Sequence, residues 1–205
     1  MSLEVALTRI AQLQSMFAAP AAPQVPAPST TASNSSFATQ LQSASAASLT
    51  GTAPAAAGTT AGQSIVNLVR NEIGVAEQPP GSNDSPRIAQ FRQATAGSGV
   101  GPWCAYFTSW AAREAGVPLG ENGQGFGRVD DVYAWAQKAG KAIPNGDGVT
   151  PQPGDLIVWD EHIGIVESVL PDGRIQTIEG NSSDQVSRRT HDASGGGAIG
   201  YVRLG

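Results

Sequence analysis

The feature that most constrains this chain is a long tract, residues 18–63, that carries no charge. Ala, Pro, Ser and Thr fill 34 of its 46 positions. Such a composition buries too little apolar surface to offset the entropy lost on ordering. The sequence therefore predicts a disordered linker over 18–63, semi-extended where it is rich in proline. A stable fold has to come from the residues on either side of it.

The segment before the linker, residues 1–17, has an amphipathic pattern. Apolar residues recur at helical spacing from Leu3 through Ile10 to Phe17, which predicts a short helix. An isolated helix of about 15 residues is marginal in water. The segment therefore either frays or docks on a partner protein. It lacks the basic start and the continuous apolar core of a secretory signal peptide.

The remaining part, residues 64–205, has an ordinary globular composition and a length that suits one domain. Its first half predicts four helices, near 64–73, 86–91, 103–116 and 129–140. Its second half predicts five short strands, at 155–159, 163–169, 174–179, 186–191 and 199–204. Helices followed by consecutive strands indicate an α+β domain with an antiparallel sheet of about five strands.

Charge and composition exclude several classes of function. Twelve Lys and Arg stand against 17 Asp and Glu, for a net charge of −5, which argues against nucleic acid as a partner. No apolar run approaches the roughly 18 residues of a membrane span. One Cys and two His are too few for an internal disulfide or an ordinary Cys/His zinc site. We therefore expect neither a metal nor another cofactor.

Cys104 is the first candidate for chemistry. Most free cysteines are buried small hydrophobes, and that interpretation stays open for this one. However, the Gly-rich segment 99–102 precedes Cys104 and a helix-forming run, 105–115, follows it. The thiol would then lie in the first turn of a helix, where free N–H groups and the helix dipole stabilise a thiolate. The same N–H groups suit the oxyanion of a tetrahedral intermediate.

A thiolate nucleophile needs an imidazole, and the chain offers two. His191 follows a polar segment and precedes a Gly-rich loop, so we predict a solvated surface residue there. His162 stands at the start of the apolar strand 163–166, where the sheet would hold it while the ring still reaches a cleft. The alternative for His162 is a structural histidine, but the cysteine helix and the sheet together favour it as the base.

The next strand ends in Glu179 and Asn181, which are candidates for orienting the imidazole. A four-residue hairpin loop at 170–173 predicts a register in which His162 lies opposite Asn181. Glu179 is then a diagonal neighbour on the same face. A slip of one residue would turn both to the opposite face. The alternative for Glu179 is a solvated carboxylate at the strand end.

Several segments together resemble a known family, the CHAP domains. The matching motifs are Pro102–Phe107, Arg113–Pro118, Pro153–Val158, His162–Val166 and Glu179–Asn181. CHAP domains are cysteine, histidine-dependent amidohydrolase/peptidases with papain-like folds that cut peptidoglycan. The segment around Gly81–Ile88 also resembles the start of endolysin-like members. The resemblance implies peptidoglycan as the substrate of this chain.

Carried over residue by residue, the resemblance implies that Cys104 is the nucleophile and His162 the general base and acid. Glu179 would orient the imidazole, and Asn181 would assist near the imidazole or the substrate. Which of these two is the main orienter stays open, as does the bond that is cut. Trp103, beside the nucleophile, is a candidate for substrate contact. Some members bind calcium through acidic residues just before the cysteine. Residues 94–102 contain no acid, so we expect no such site.

The N-terminal segment and the linker resemble those of wall hydrolases encoded with actinobacterial flagella. This implies action at the cell wall after export without a Sec signal peptide. A flagellar rod or export protein would then be the partner of residues 3–17. Two other hypotheses remain, a non-catalytic wall-binding or flagellar-assembly factor and a general cysteine protease.

Overall fold

The computed structural model describes residues 58–205, so the predicted N-terminal helix and the linker up to residue 57 lie outside the described residues. The helices are α1 (Thr60–Arg70), α2 (Pro86–Arg92), α3 (Cys104–Glu114) and α4 (Val129–Lys138). The strands are β1 (Ala142–Pro144), β2 (Leu156–Val158), β3 (Ile163–Val169), β4 (Ile175–Glu179), β5 (Ser187–His191) and β6 (Gly200–Val202). No helix among residues 58–205 is both long and apolar enough to cross a membrane.

The predicted α+β class is confirmed, with helices followed by an antiparallel sheet. The strand order is β1-β6-β2-β3-β4-β5, and every neighbouring pair is antiparallel. The sheet has six strands where the sequence predicted about five, because β1 was missed. This short strand ends in Pro144 and pairs only with β6 at the sheet edge. Edge positions tolerate a proline, which has no N–H to donate.

The first helix starts earlier than predicted. Its N-cap is Thr59, whose hydroxyl accepts a hydrogen bond from the Gly62 N–H at 2.9 Å. The sequence predicts a helix that begins near residue 64, but Ser64 lies inside the observed helix. Residues 60–63, assigned to the linker on composition, are therefore helical. A threonine cap inside an Ala/Gly/Thr-rich stretch gives little sequence contrast, which explains the error.

The helix α3 forms the centre of the domain. Nine of its 11 residues are buried, and its aromatic side chains pack with those of neighbouring segments. This aromatic cluster consists of Phe91, Trp103, Phe107 and Trp110. The helices cover the sheet face that carries Leu156, Val158, Ile163, Ile165 and Ile178. A second, smaller apolar cluster lies on the other face, around Ile157, Val166 and Tyr201.

The hairpin between β3 and β4 has a different loop from the predicted one but the same register near its open end. Val169 pairs with Ile175, one residue later than expected. The ladder then shifts between Val166 and Ser168, and Ile165 pairs with Ile178. Glu167 is the extra residue of this β-bulge. The bulge compensates for the longer loop, so the predicted register holds beyond it.

Two arginines hold the side chain of this bulge residue. Arg70 of α1 donates to Glu167 at 2.7 Å, and Arg188 of β5 donates to it at 2.9 Å. Burial raises the pKa of Glu167, but hydrogen bonds from both guanidinium groups outweigh burial and leave the pKa below its usual range. The bulge is thus tied to a helix and to a neighbouring strand.

We predict that Glu167→Gln lowers the free energy of unfolding by about 2 kcal/mol, because it leaves two arginines around a neutral, nearly buried amide. Urea unfolding at pH 7 measures this loss. The matched control is Asp172→Asn, which breaks an exposed pair with Arg174 and should leave stability unchanged. The loss should shrink as the pH falls below the usual glutamate range, since protonation removes the same charge. Equal stability of both variants at pH 7 would refute this account.

Candidate active site

Cys104 is the first residue of α3 and lies at the wall of an open groove. Its side chain is 5% exposed, yet it lines a groove of about 340 Å³. Other lining residues are Pro102, Tyr106, Gly127, Arg128, Val129, Asp130, Asp160 and Glu161. The N-cap position, Trp103, makes no side-chain cap. The first-turn N–H groups beside the sulfur therefore have no capping acceptor.

His162 lies at the turn between β2 and β3. The turn is closed by the Trp159 N–H, which donates to the His162 carbonyl at 2.8 Å. One ring nitrogen, Nε2, is 2.9 Å from Oε2 of Glu179. The Cys104 side chain lies close enough to this ring to raise its pKa. Since Nε2 is engaged by the carboxylate, Nδ1 is the nitrogen that remains for the sulfur.

Glu179 ends β4, and its carboxylate is buried with a side-chain exposure of 4%. Besides His162, the Thr177 hydroxyl donates to its Oε1 at 2.6 Å. Strand β3 leaves room for this side chain because it carries a glycine at the point of contact. A Cβ at Gly164 would lie only 2.7 Å from Cγ of Glu179. The carboxylate is thus held among donors and beneath a strand that has no side chain at the point of contact.

The electrostatics of this pair depend on opposing effects. Burial lowers the pKa of His162, but hydrogen bonds and charge from Cys104 and Glu179 outweigh burial and raise the pKa to about 9. Burial raises the pKa of Glu179, but hydrogen bonds from His162, Thr177 and His191 outweigh it and bring the pKa down to about 2. These shifts favour an imidazolium at His162 paired with the ionised carboxylate of Glu179.

The interpretation of His191 as a solvated surface residue needs correction. Its Nε2 lies 2.7 Å from Oε1 of Glu179, and its side chain is only 23% exposed. Trp159 packs against both imidazoles, with ring centroids 5.6 Å from His162 and 4.9 Å from His191. The sequence carried one usable signal. Alternation along paired strands places His191 and Glu179 on one face once the register between β4 and β5 is known.

One other expectation changes in the structure. Trp103 has no exposed surface, and its Nε1 donates to Oε1 of Glu77 at 2.9 Å. It therefore packs in the core and does not line the groove, so its expected substrate contact is not available. Asn181, expected near the imidazole or the substrate, contacts this pair. With its amide oriented to satisfy both atoms, it donates to Glu77 and accepts from the Trp103 N–H, each at 3.2 Å.

Glu77 is a site residue that sequence analysis missed. It is buried, with 3% exposure, and it also accepts from the Asn83 N–H at 2.8 Å. Its segment pairs with the loop before β5, where the Glu77 N–H donates to Asp184. Glu77 thus fixes Trp103, the residue directly before Cys104. No local sequence pattern indicates a contact across 26 positions.

The described part of the chain is an α+β domain in which a helix-terminal cysteine meets an imidazole held by a sheet and a buried carboxylate. Residues 95–181 match the family model of the CHAP domain. This segment is therefore a CHAP domain, as the resemblance of its motifs predicted. The match includes Cys104, His162, Glu179 and Asn181.

The comparisons with curated proteins and with solved structures are less informative than the family model. A search of curated proteins finds no match. Among solved structures, the chain is similar to the 2.15 Å crystal structure of N-acetylmuramoyl-L-alanine amidase from Staphylococcus aureus, with 19% sequence identity and a TM-score of 0.38. The alignment covers 53% of this chain and 33% of the amidase chain. The chain thus spans about a third of the length of that protein.

We predict that an NMR titration of the His162 ring gives a midpoint near pH 9, and that Glu179→Gln lowers it because one stabilising carboxylate is lost. The raised pKa contributes to the free energy of unfolding in full below about pH 6.5, and this contribution is lost as the pH rises through about 9. For Glu179, the contribution is present above about pH 4.5 and is lost as the pH falls through about 2. A His162 midpoint near 6.5 in both proteins would contradict the pairing.

Proposed function

We propose that this protein is a peptidoglycan hydrolase that cleaves an amide bond of the stem peptide with a Cys104 thiolate. The CHAP domain at 95–181 supports action on peptidoglycan in general. The observation that carries the finer proposal is that Cys104 lines an open groove and lies close to the His162 ring, which the buried Glu179 carboxylate holds.

In the proposed reaction, the Cys104 sulfur attacks the amide carbonyl carbon, and a C–S bond forms as the carbonyl π electrons move to oxygen. First-turn N–H groups of α3 suit the resulting oxyanion. When the C–N bond breaks, the His162 imidazolium gives its proton to the leaving amine. The neutral imidazole then takes a proton from water as the water oxygen attacks the thioester carbon. The C–S bond breaks, the carboxylic acid leaves, and the Cys104 thiolate and the His162 imidazolium are restored.

Glu179 has a supporting role in this scheme. Its carboxylate accepts from Nε2 of His162, which leaves Nδ1 directed toward the sulfur and stabilises the imidazolium. Asn181 acts on the position of Cys104, since it contacts the backbone of Trp103, the residue directly before the nucleophile. We therefore assign the orientation of the imidazole to Glu179 and the placement of the start of α3 to Asn181 together with Glu77.

We propose that the protein acts at the cell wall, outside the membrane, because peptidoglycan lies there. The segment that would engage a flagellar rod or export protein, residues 3–17, lies outside the described residues. A flagellar partner accordingly stays a prediction of the sequence alone.

We predict that the full-length protein solubilises purified peptidoglycan and that Cys104→Ser and Cys104→Ala lower the rate by at least about 10³-fold, because the nucleophile is removed. Release of soluble fragments measures the rate, and mass spectrometry of the fragments identifies the bond. A fragment pair split at the sugar–peptide junction indicates an amidase, and a split within the stem indicates an endopeptidase. Both variants should melt at the wild-type temperature.

The same assay separates the other hypotheses. Wild-type protein that binds peptidoglycan but releases nothing, with equal binding by Cys104→Ser, would establish a wall-binding or assembly factor instead. Turnover of casein with no action on peptidoglycan would establish a general protease.

We predict that iodoacetamide labels Cys104 at pH 7 at least about tenfold faster than a model thiol, because a thiolate paired with the His162 imidazolium replaces the few per cent of thiolate in a free thiol. His162→Ala removes the paired cation and should bring the rate down toward the model value. Quantitative mass spectrometry of the labelled peptide measures both rates. Slow labelling that His162→Ala leaves unchanged would count against the thiolate mechanism.

A further inference from the structure

The mechanism above makes no use of His191, although this side chain contacts its central carboxylate. Each carboxylate oxygen of Glu179 has a defined set of donors. Oε2 accepts from Nε2 of His162 at 2.9 Å. Oε1 accepts from the Thr177 hydroxyl at 2.6 Å and meets Nε2 of His191 at 2.7 Å. Glu179 therefore lies between two imidazoles, one on each oxygen.

We propose that His191 is a positioning residue, which holds Oε1 of Glu179 so that Oε2 stays directed at His162. This proposal rests on the proposed function, in which His162 acts on the Cys104 sulfur. His191 touches no reacting atom. It acts through the carboxylate, so the chain of contacts runs from Cys104 through His162 and Glu179 to His191.

The two donors on Oε1 are not equivalent. A hydroxyl such as that of Thr177 rotates about its C–O bond and follows the acceptor. An imidazole N–H is fixed in the ring plane, so it restricts the acceptor to one direction. Without His191, the terminal torsion of Glu179, which is broad in glutamates, is held on the Oε1 side by the rotatable hydroxyl alone.

The ring of His191 is itself held firmly. One side packs on Trp159, whose Nε1 donates to the Gly195 carbonyl at 2.8 Å. Near Nδ1, the backbone approaches so closely that a Cβ at Gly196 would lie 3.0 Å from this nitrogen. The Gly-rich loop is fixed by Asp192, which accepts from the Gly196 N–H at 3.0 Å. The Gly-rich loop after His191 had suggested a solvated residue in the sequence, but in the structure this loop orients the ring.

Three ionisable groups surround His191. Glu179 faces it from β4, and His162 lies on the far oxygen of the same carboxylate. Asp192 follows it in the chain. Hydrogen bonds from Ser194 and Gly196 hold the pKa of Asp192 below its usual range, and the charge of His191 adds to this effect. Of these groups, only Glu179 is in direct hydrogen-bond contact with the ring.

The test compares three variants of the full-length chain. His191→Phe keeps a flat ring for packing on Trp159 but has no donor. His191→Gln keeps an N–H donor close to the position of Nε2. Thr190→Ala is the matched control, since Thr190 is exposed and points to the other face of the same strand. Readouts are the melting temperature, the NMR titration midpoint of His162, the pH profile of Cys104 alkylation from pH 5 to 10, and kcat and KM on peptidoglycan.

We expect His191→Phe to lower kcat about tenfold, the effect of one hydrogen bond to a charged group, with KM within about twofold. The His162 midpoint and the alkaline limb of the alkylation profile should both move to lower pH by about one unit. His191→Gln should recover most of kcat and of the midpoint. Thr190→Ala should match wild type in every readout.

The proposal is overturned if His191→Phe leaves the His162 midpoint and the alkylation profile at wild-type values. It is also overturned if Gln and Phe variants are equally impaired while both melt at the wild-type temperature, since a donor would then not matter. NMR and alkylation need no substrate. A shifted midpoint in a protein whose wild type never cleaves peptidoglycan would therefore retain the positioning role and reject the proposed function alone.

Discussion

The burial of one carboxylate, that of Glu179, constrains the geometry of the whole site. Removing an ionised carboxylate from water costs several kcal/mol unless donors replace the solvent. Here the replacement comes from Thr177, His162 and His191. These donors lie on β4 itself, at the start of β3 and at the end of β5. Any arrangement that separates these strand ends leaves the charge unpaired, so the position of the imidazole is tied to the stability of the sheet.

Much of this arrangement could be predicted from the sequence. The register of the β3–β4 hairpin, however, was predicted correctly only because two errors cancel. Apolar alternation and the turn at 171–173 indicated the β3–β4 hairpin, and the assumed four-residue loop placed His162 near Glu179. The real loop is one residue longer, which alone would have turned the site residues to the wrong face. The bulge at Glu167 restores the register. Glu167 gives no local signal for a bulge, because its partners Arg70 and Arg188 are distant in the chain.

The errors fall where long-range pairing decides the structure. The register between β4 and β5 depends on a loop with three non-glycine residues at positive φ, Asn181, Ser183 and Asp184. Positive φ is uncommon for non-glycine residues in general, although Asn and Asp adopt it more often than others, so sequence patterns did not place His191 beside Glu179. Trp103 was misassigned for a similar reason. An indole beside a candidate nucleophile suggests a substrate contact. Here, however, the indole donates a hydrogen bond to a buried acceptor 26 positions away, Glu77, and therefore packs in the core.

The carboxylates of Glu179 and Glu77 are both buried, and each positions one half of the site through contacts at the end of β4. Glu179 holds the ring of His162, and Glu77 holds Trp103, the residue before Cys104. Asn181 follows Glu179 by two residues and contacts both Glu77 and the Trp103 backbone. Sulfur and imidazole are therefore positioned from the same three-residue segment, 179–181. A shift of this segment would move the sulfur and the imidazole together, so the distance between them is less sensitive to motion of the sheet than either position alone.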